Sequence, residues 1–275
     1  MSETGGSVVV DNADSGDPNS IAASGPIGGM RLLDALNAHS GVVCVVGAGG
    51  KKTALYTLAA DAAGEGLRSV VTATVRIPIF DDHVTQVLTA SEPLNRLDGS
   101  LECPVGFVPE REGENRYRGY DTAVVNELAA ADIADVILVK ADGARNREFK
   151  APNEQEPRIP ASATTVVPIA SVHAVGKPLT EEYVHRPERV SALTGREIGE
   201  RITARDVATV LASPAGGLKG VPGDATAIPL LNKADDEELA GVARTVAKDV
   251  LARAPVSRVV LARLRADDPV VEIVE

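Results

Sequence analysis

Val42-Val43-Cys44-Val45-Val46-Gly47-Ala48-Gly49-Gly50-Lys51-Lys52-Thr53 is the segment whose reading decides the fold. Its first five residues are an apolar, mostly β-branched run, the pattern of a strand covered on both faces. Glycines follow, and Thr53 to Ala63 reads as a helix. Between a strand and a helix, glycines let successive backbone N–H groups converge on an anion, and the helix adds its positive end. A lysine at the helix start supplies a mobile charge for a β- or γ-phosphate, and a hydroxyl there can bind Mg²⁺. On this reading Gly47, Ala48, Gly49, Gly50, Lys51, Lys52 and Thr53 bind nucleotide, Lys51 is the phosphate lysine and Thr53 a metal ligand. The match to G-x-x-x-x-G-K-[ST] is partial, because Val45 stands at the first glycine and Lys52 at the hydroxyl. The plainer alternative is a glycine-rich turn. A dinucleotide fingerprint fails, since Lys52 occupies its third glycine.

Outward from this loop, strands and helices alternate. Met30 to Ala38 reads as a short helix, Ser69 to Ala73 as a strand and Val84 to Leu88 as a third strand. Leu94 to Gly119 is turn-rich and charged, with no element assigned. Tyr120 to Ala131 is helical, Val136 to Val139 a buried strand, and Lys150 to Ala163 a Pro- and Glu-rich loop. Strands at Thr164 to Ile169, Ala227 to Leu231, Arg258 to Leu261 and Val270 to Val274 interleave with helices at Thr203 to Leu211 and Asp236 to Arg253. The last strand is expected at an edge. Such alternation predicts an α/β fold, a mostly parallel sheet flanked by helices in a P-loop NTPase-like three-layer architecture. Residues 1–26 carry Glu3, Asp11, Asp14 and Asp17 with no Lys or Arg, and read as a disordered acidic tail before a single domain spanning 27–275.

Two further segments carry chemistry. A buried strand runs into Asp142-Gly143, and an acid just past such a strand end can hold Mg²⁺, so Asp142 joins Lys51 as catalytic and Thr53 as metal-binding. A turn-forming Asp before Gly is the alternative. Asn232-Lys233-Ala234-Asp235 ends another strand as N-K-x-D, like the guanine-specificity motif of P-loop GTPases. A carboxylate there accepts N1–H and N2–H of guanine, whereas adenine would leave it unpaired. Asn232, Lys233 and Asp235 are therefore nucleotide-binding candidates, with capping of the next helix as Asp235's alternative.

Composition narrows the partners. With 39 Asp+Glu against 28 Lys+Arg, the net charge is −11, which argues against a general nucleic-acid binder. No Trp and seven Phe plus Tyr leave no stacking platform for single strands. Arg outnumbers Lys 20 to 8, and the acidic balance fits either a salt-rich cytoplasm or charge-based solubility. No apolar run reaches a membrane span and no secretory signal is visible, so the expectation is a cytoplasmic protein without membrane contact. Two cysteines give no disulfide framework or metal spacing, and Cys44 reads as a buried thiol.

With these segments in order, the chain resembles the selenium-dependent hydroxylase accessory protein family, the YqeC family, over nearly all of residues 30–250. The residues that carry the resemblance are Val46 to Lys51, Ala141 to Ala144, Lys150-Ala-Pro152, Glu156-Pro157, Ile159-Pro160, Gly176 to Leu179, His185 to Glu188, Leu193 to Gly195 and Leu231 to Asp235. The resemblance implies a P-loop-like nucleotide-binding protein that helps mature selenium-dependent molybdenum hydroxylases. Three positions depart from the family's usual pattern. Lys52 stands where it has Thr, Lys140 where it has an acid, and Thr72-Ala-Thr74-Val-Arg76 where a Thr-rich run ends in His. The first change bears on Mg²⁺ ligation and the second removes a carboxylate, so binding with impaired hydrolysis is the expectation.

Among the remaining polar residues, Thr72 and Thr74 are candidates to contact a γ-phosphate, Arg76 a phosphate, and Arg145, Arg147 and Lys150 an anionic ligand, each against a surface or strand role. Glu154 and Glu156 are weaker metal or acid/base candidates, and His185-Arg186 a substrate contact. The leading expectation is an Mg²⁺-dependent NTP-binding accessory protein using GTP or ATP, with GTP favoured and a molybdenum hydroxylase or its cofactor as partner. A non-hydrolysing chaperone for molybdenum cofactor or another anion, and a small-molecule kinase or nucleotidyltransferase, are the alternatives.

Overall fold

Around the β-branched run the chain builds a sheet whose central strand delivers the glycine loop. The computed structural model describes residues 29–92, 94 and 103–275, and the acidic tail lies outside them. The first half runs α1 (Leu32–Ala35), β1 (Gly41–Gly47), α2 (Lys51–Gly64), β2 (Ser69–Ala73), β3 (Ile77–Pro78), β4 (Gln86–Thr89), β5 (Val105–Val108) and β6 (Arg116–Tyr117). Next come α3 (Thr122–Ala130), β7 (Val136–Lys140), β8 (Phe149–Lys150), β9 (Ala163–Ser171), β10 (Val184–His185) and α4 (Pro187–Thr194). The chain closes with α5 (Ala204–Ala212), β11 (Thr226–Ala227), β12 (Leu230–Asn232), α6 (Glu237–Arg253), β13 (Val259–Ala262) and β14 (Val270–Val274).

Ten strands form one sheet in the order β14-β13-β12-β9-β1-β7-β2-β5-β4, with β11 also beside β9. Every pairing is parallel except β13 with the edge strand β14. Alternation along β1 sorts the two faces: Val43 and Val45 pack with α1 and α2, while Val42, Cys44 and Val46 face α3. Farther along that second face, Ala170, Leu231 and Leu261 pack with α5 and α6. The result is helix, sheet, helix, the three-layer, mostly parallel α/β architecture expected. Burial pushes the Cys44 thiol pKa well up, so it stays protonated. No helix among the described residues is long and apolar enough to cross a membrane.

Local signals explain most boundaries. Thr203 and Asp206 close a reciprocal capping box on α5, and Asp236 accepts from Leu239 N at the start of α6. Besides the two-residue strands β3, β6, β8 and β10, several elements differ from the sequence expectation. Val105–Val108 is a fully buried strand inside the region left unassigned, because Gly106 lies under Phe80, where a Cβ would sit 2.7 Å from the ring. Helix α4 likewise has no counterpart in the periodicity, although Pro187 at its first turn and the left-handed Gly195 after it are a start and a stop. Pro229 divides the expected Ala227–Leu231 strand into β11 and β12.

Candidate functional site

β1 ends between β7 and β9, so its loop meets the ends of both neighbours. Gly47 and Gly49 adopt φ of 91° and Gly50 of 144°. A Cβ on Gly47 would lie 2.2 Å from Ile169 O, and one on Gly50 2.3 Å from Asn232 Nδ2. Only glycine lets this backbone lie so close to β9 and β12. The Gly47 N–H donates to Asp142 Oδ2 (2.9 Å) and the Ala48 N–H to Ile169 O (2.9 Å). Gly49 through Thr53 instead line an open cavity of about 840 Å³. No side chain caps α2, so its positive end faces that space.

Behind the loop runs a chain of ion pairs, buried at Lys51, Asp142 and Lys150 and partly exposed at Arg186. Lys51 Nζ lies 3.0 Å from Asp142 Oδ1 and also donates to Gly47 O. Lys150 Nζ lies 2.9 Å from Asp142 Oδ2 and 2.8 Å from Glu156 Oε2, and Glu156 in turn holds Arg186 at 2.5 Å. Burial pushes the carboxyls of Asp142 and Glu156 up, but the neighbouring ammonium groups more than offset it, so both are held below the usual carboxylate range. Burial lowers the Lys51 pKa, with Asp142 opposing. Three cations thus face two carboxylates.

In front of the loop the cavity is basic, in a protein whose net charge is −11. Nine lysines and arginines line it, against the carboxylates Glu148 and Asp235. Glu148 is itself held by Lys233 Nζ at 2.6 and 2.8 Å. The loop after β7 curls over the cavity through Arg145 and Asn146, both left-handed at φ 47° and 58°. Lys140 Nζ donates to Arg76 O (2.7 Å), and burial, then Lys51, push its pKa down to about 7.

The sequence candidates divide sharply. Lys51, Lys52, Thr53, Arg76, Arg145, Arg147, Asn232, Lys233 and Asp235 all line the cavity. Asn232 is a fastener: its amide donates to Gly49 O (2.7 Å) and its oxygen accepts from Leu264 N (3.1 Å). Asp235 is open to the cavity, with His173 Nε2 3.7 Å away. Thr72 and Thr74 do not line it, and donate to the carbonyls of Phe107 (2.7 Å) and Arg158 (2.6 Å). His185 stands apart too, its pKa driven to about 4 by burial and then by Arg186 and Lys150. Lys150 and Glu156 prove to be internal ion-pair partners rather than groups at the cavity. Leu264, Arg265, Asn115 and Arg116 also line it, and no local pattern in the sequence marks them.

A model of the YqeC protein family matches residues 43–188, just over half of the chain. The chain belongs to the YqeC family. A curated relative, the uncharacterized protein YqeC of Escherichia coli (strain K12), is 29% identical over 194 residues, covering 70% of this chain and 75% of the relative. Among solved structures, chloroplast FtsY from Physcomitrella patens aligns with TM-score 0.40 and 17% identity over 86% of this chain. FtsY from Mycoplasma mycoides aligns with TM-score 0.37 and 12% identity over 84%. This YqeC chain spans 63% of the length of each FtsY chain. The family match takes in the glycine loop, Asp142, Lys150 and Glu156, and stops short of Asn232 to Asp235.

Proposed function

We propose that this protein binds a nucleoside triphosphate, GTP in preference to ATP, and serves as an accessory factor in the maturation of selenium-dependent molybdenum hydroxylases. The observation that carries nucleotide binding is the uncapped start of α2 with Lys51, facing a basic cavity. The maturation role rests on the family alone. Phosphates would lie on the amides from Gly49 to Thr53, with Lys51 turning from Asp142 to a phosphate oxygen. Lys150 stays on Asp142 when it does, so the buried carboxylate keeps a counter-charge. A guanine would extend towards Asp235, on the β12 side of the loop.

A magnesium ion would need a hydroxyl and a carboxylate, and Asp142 does not itself line the cavity. Thr53 lines the cavity, and Asp142 Oδ1 has the Lys51 ammonium as its close partner, so it becomes available as that lysine moves. Thr53 and Asp142 would hold the ion, which would neutralise phosphate charge. Hydrolysis needs only positioning and electrostatic stabilisation, so no covalent nucleophile is required.

Calorimetric titration of GTP and ATP, each with and without Mg²⁺, followed by a phosphate-release assay, tests the reading. Lys51→Ala should weaken GTP binding by roughly ten- to a hundredfold, the worth of a charge-assisted hydrogen bond. Asp235→Ala should erase the preference for GTP. Unchanged affinity in Lys51→Ala would sink the nucleotide site.

A further inference from the structure

The cavity has two ends, and the glycine loop stands between them. β12 lies two strands from β1 on one side, bringing Asn232, Lys233 and Asp235; β2 lies two strands away on the other, bringing Arg76. At about 4.8 Å between neighbouring strands, the two walls are separated by roughly 19 Å. A nucleotide whose phosphates start on the central loop and whose base runs to Asp235 leaves the β2 wall unfilled.

That second wall is built for an anion. Its backbone is a short antiparallel ribbon in which Ile77 pairs Tyr117 and Pro78 pairs Arg116. The ribbon is anchored by buried Ile77 and by Tyr117 stacked on Phe80 at 5.4 Å between ring centroids. Arg76 and Arg116 there share one carboxylate, Glu112, at 2.5 and 2.8 Å, leaving a cation in excess. Lys140, only 9% exposed, reaches the same wall. No ion pair to a carboxylate is found for it among the described residues; its ammonium rests on the Arg76 carbonyl. A buried lysine without a counter-ion is costly unless a ligand supplies one.

We propose that Lys140, Arg76, Asn115 and Arg116 seat a second small anion, a phosphomonoester, beside the terminal phosphoryl of the bound nucleotide. The proposal rests on the nucleotide reading of the glycine loop for its neighbour, but its own seat is separable. Such a site makes the protein a meeting place for a nucleotide and a phosphorylated small molecule, rather than a nucleotide switch alone.

Inorganic phosphate serves as the probe, titrated by calorimetry into the full chain, first alone and then saturated with a non-hydrolysable GTP analogue and Mg²⁺. Phosphate should bind the loaded chain. Lys140→Met and the exposed-rim variant Arg116→Ala should each weaken that binding by about tenfold or more, while Lys140→Arg retains it. Affinity for the GTP analogue should stay within about threefold of the parent in Arg116→Ala, less than half a tenfold step in free energy. Phosphate binding that vanishes once nucleotide is present, or that is equal in parent, Lys140→Met and Arg116→Ala, overturns the second seat. If the analogue fails to bind at all, the nucleotide reading falls, and phosphate binding to the unloaded chain that depends on Lys140 and Arg116 still supports the seat.

Discussion

Behind the glycine loop and in front of it, the same chain arranges charge in opposite ways. Behind, Lys51, Lys150 and Arg186 alternate with Asp142 and Glu156 at 2.5 to 3.0 Å, with Lys51, Asp142 and Lys150 buried and Glu156 and Arg186 at the partly exposed end. In front, arginines and lysines outnumber carboxylates and Lys140 has a carbonyl for company. A closed network fixes geometry, because each charge has one place where it is compensated. An uncompensated wall does the reverse, holding binding capacity for a ligand that brings the missing charge. The loop is where the two meet, and Lys51 belongs to both.

The comparison breaks most visibly at Asp142. Asp142→Asn keeps the shape and the acceptor for Gly47 N–H but removes the charge that holds two buried lysines. Breaking a buried pair from one side costs about 3–5 kcal/mol, so urea denaturation should show a loss of that order. A loss under about 1 kcal/mol, the value of an exposed pair, would mean that the network behind the loop is not closed.

Lys140 gives the next effect, and its sign changes with pH. Its pKa is about 7 in the folded protein against the ordinary 10.5. Between those values the unfolded chain holds a proton that the folded chain lacks, so this group makes stability rise with pH. The penalty is complete below pH 7 and gone above about 10.5. Lys140→Met escapes that penalty but orphans the Arg76 carbonyl, at a cost of about 1 kcal/mol. The variant should therefore be more stable than the parent at pH 6 and less stable at pH 10.5. Melting curves of both chains across this range would show the crossing; a constant difference would refute it.

How much of this was legible beforehand depended on whether the cause was local. The strand Val42 to Val46 and the glycines after it declare themselves within a few residues, and the structure has them there; the cap of α6 falls on Asp236 rather than on Asp235, one residue past the position the pattern offers. Val105–Val108 was illegible because its strand is made by neighbours: Gly106 weakens local propensity and is required only once Phe80 packs on it. At the site, Lys51 and Asp142 could each be picked out as the end of a pattern. Their partnership with Lys150 and Glu156 could not, since it depends on β7 and β8 converging beneath the loop. Thr72 and Thr74 misled for the complementary reason. They sit at the expected strand end, but their hydroxyls are already bonded to Phe107 and Arg158, carbonyls far away in sequence.

The smallest effect sharpens the comparison from outside the site. Arg118 and Glu110 pair at 2.6 Å, closer than Lys51 and Asp142 at 3.0 Å, yet their side chains are 60% and 55% exposed rather than 6% and 2%. Distance alone would rank the surface pair stronger. Water screens it, and ordering two mobile side chains offsets most of the attraction, so Arg118→Ala should change stability by about 0–1 kcal/mol. At 1 M salt the Debye length falls to about 3 Å, and that small difference should disappear. The Asp142→Asn loss should persist at the same salt, because ions do not enter the buried network. A salt-insensitive Arg118→Ala, or an Asp142→Asn loss that fades with salt, would show that burial is not what separates these charges.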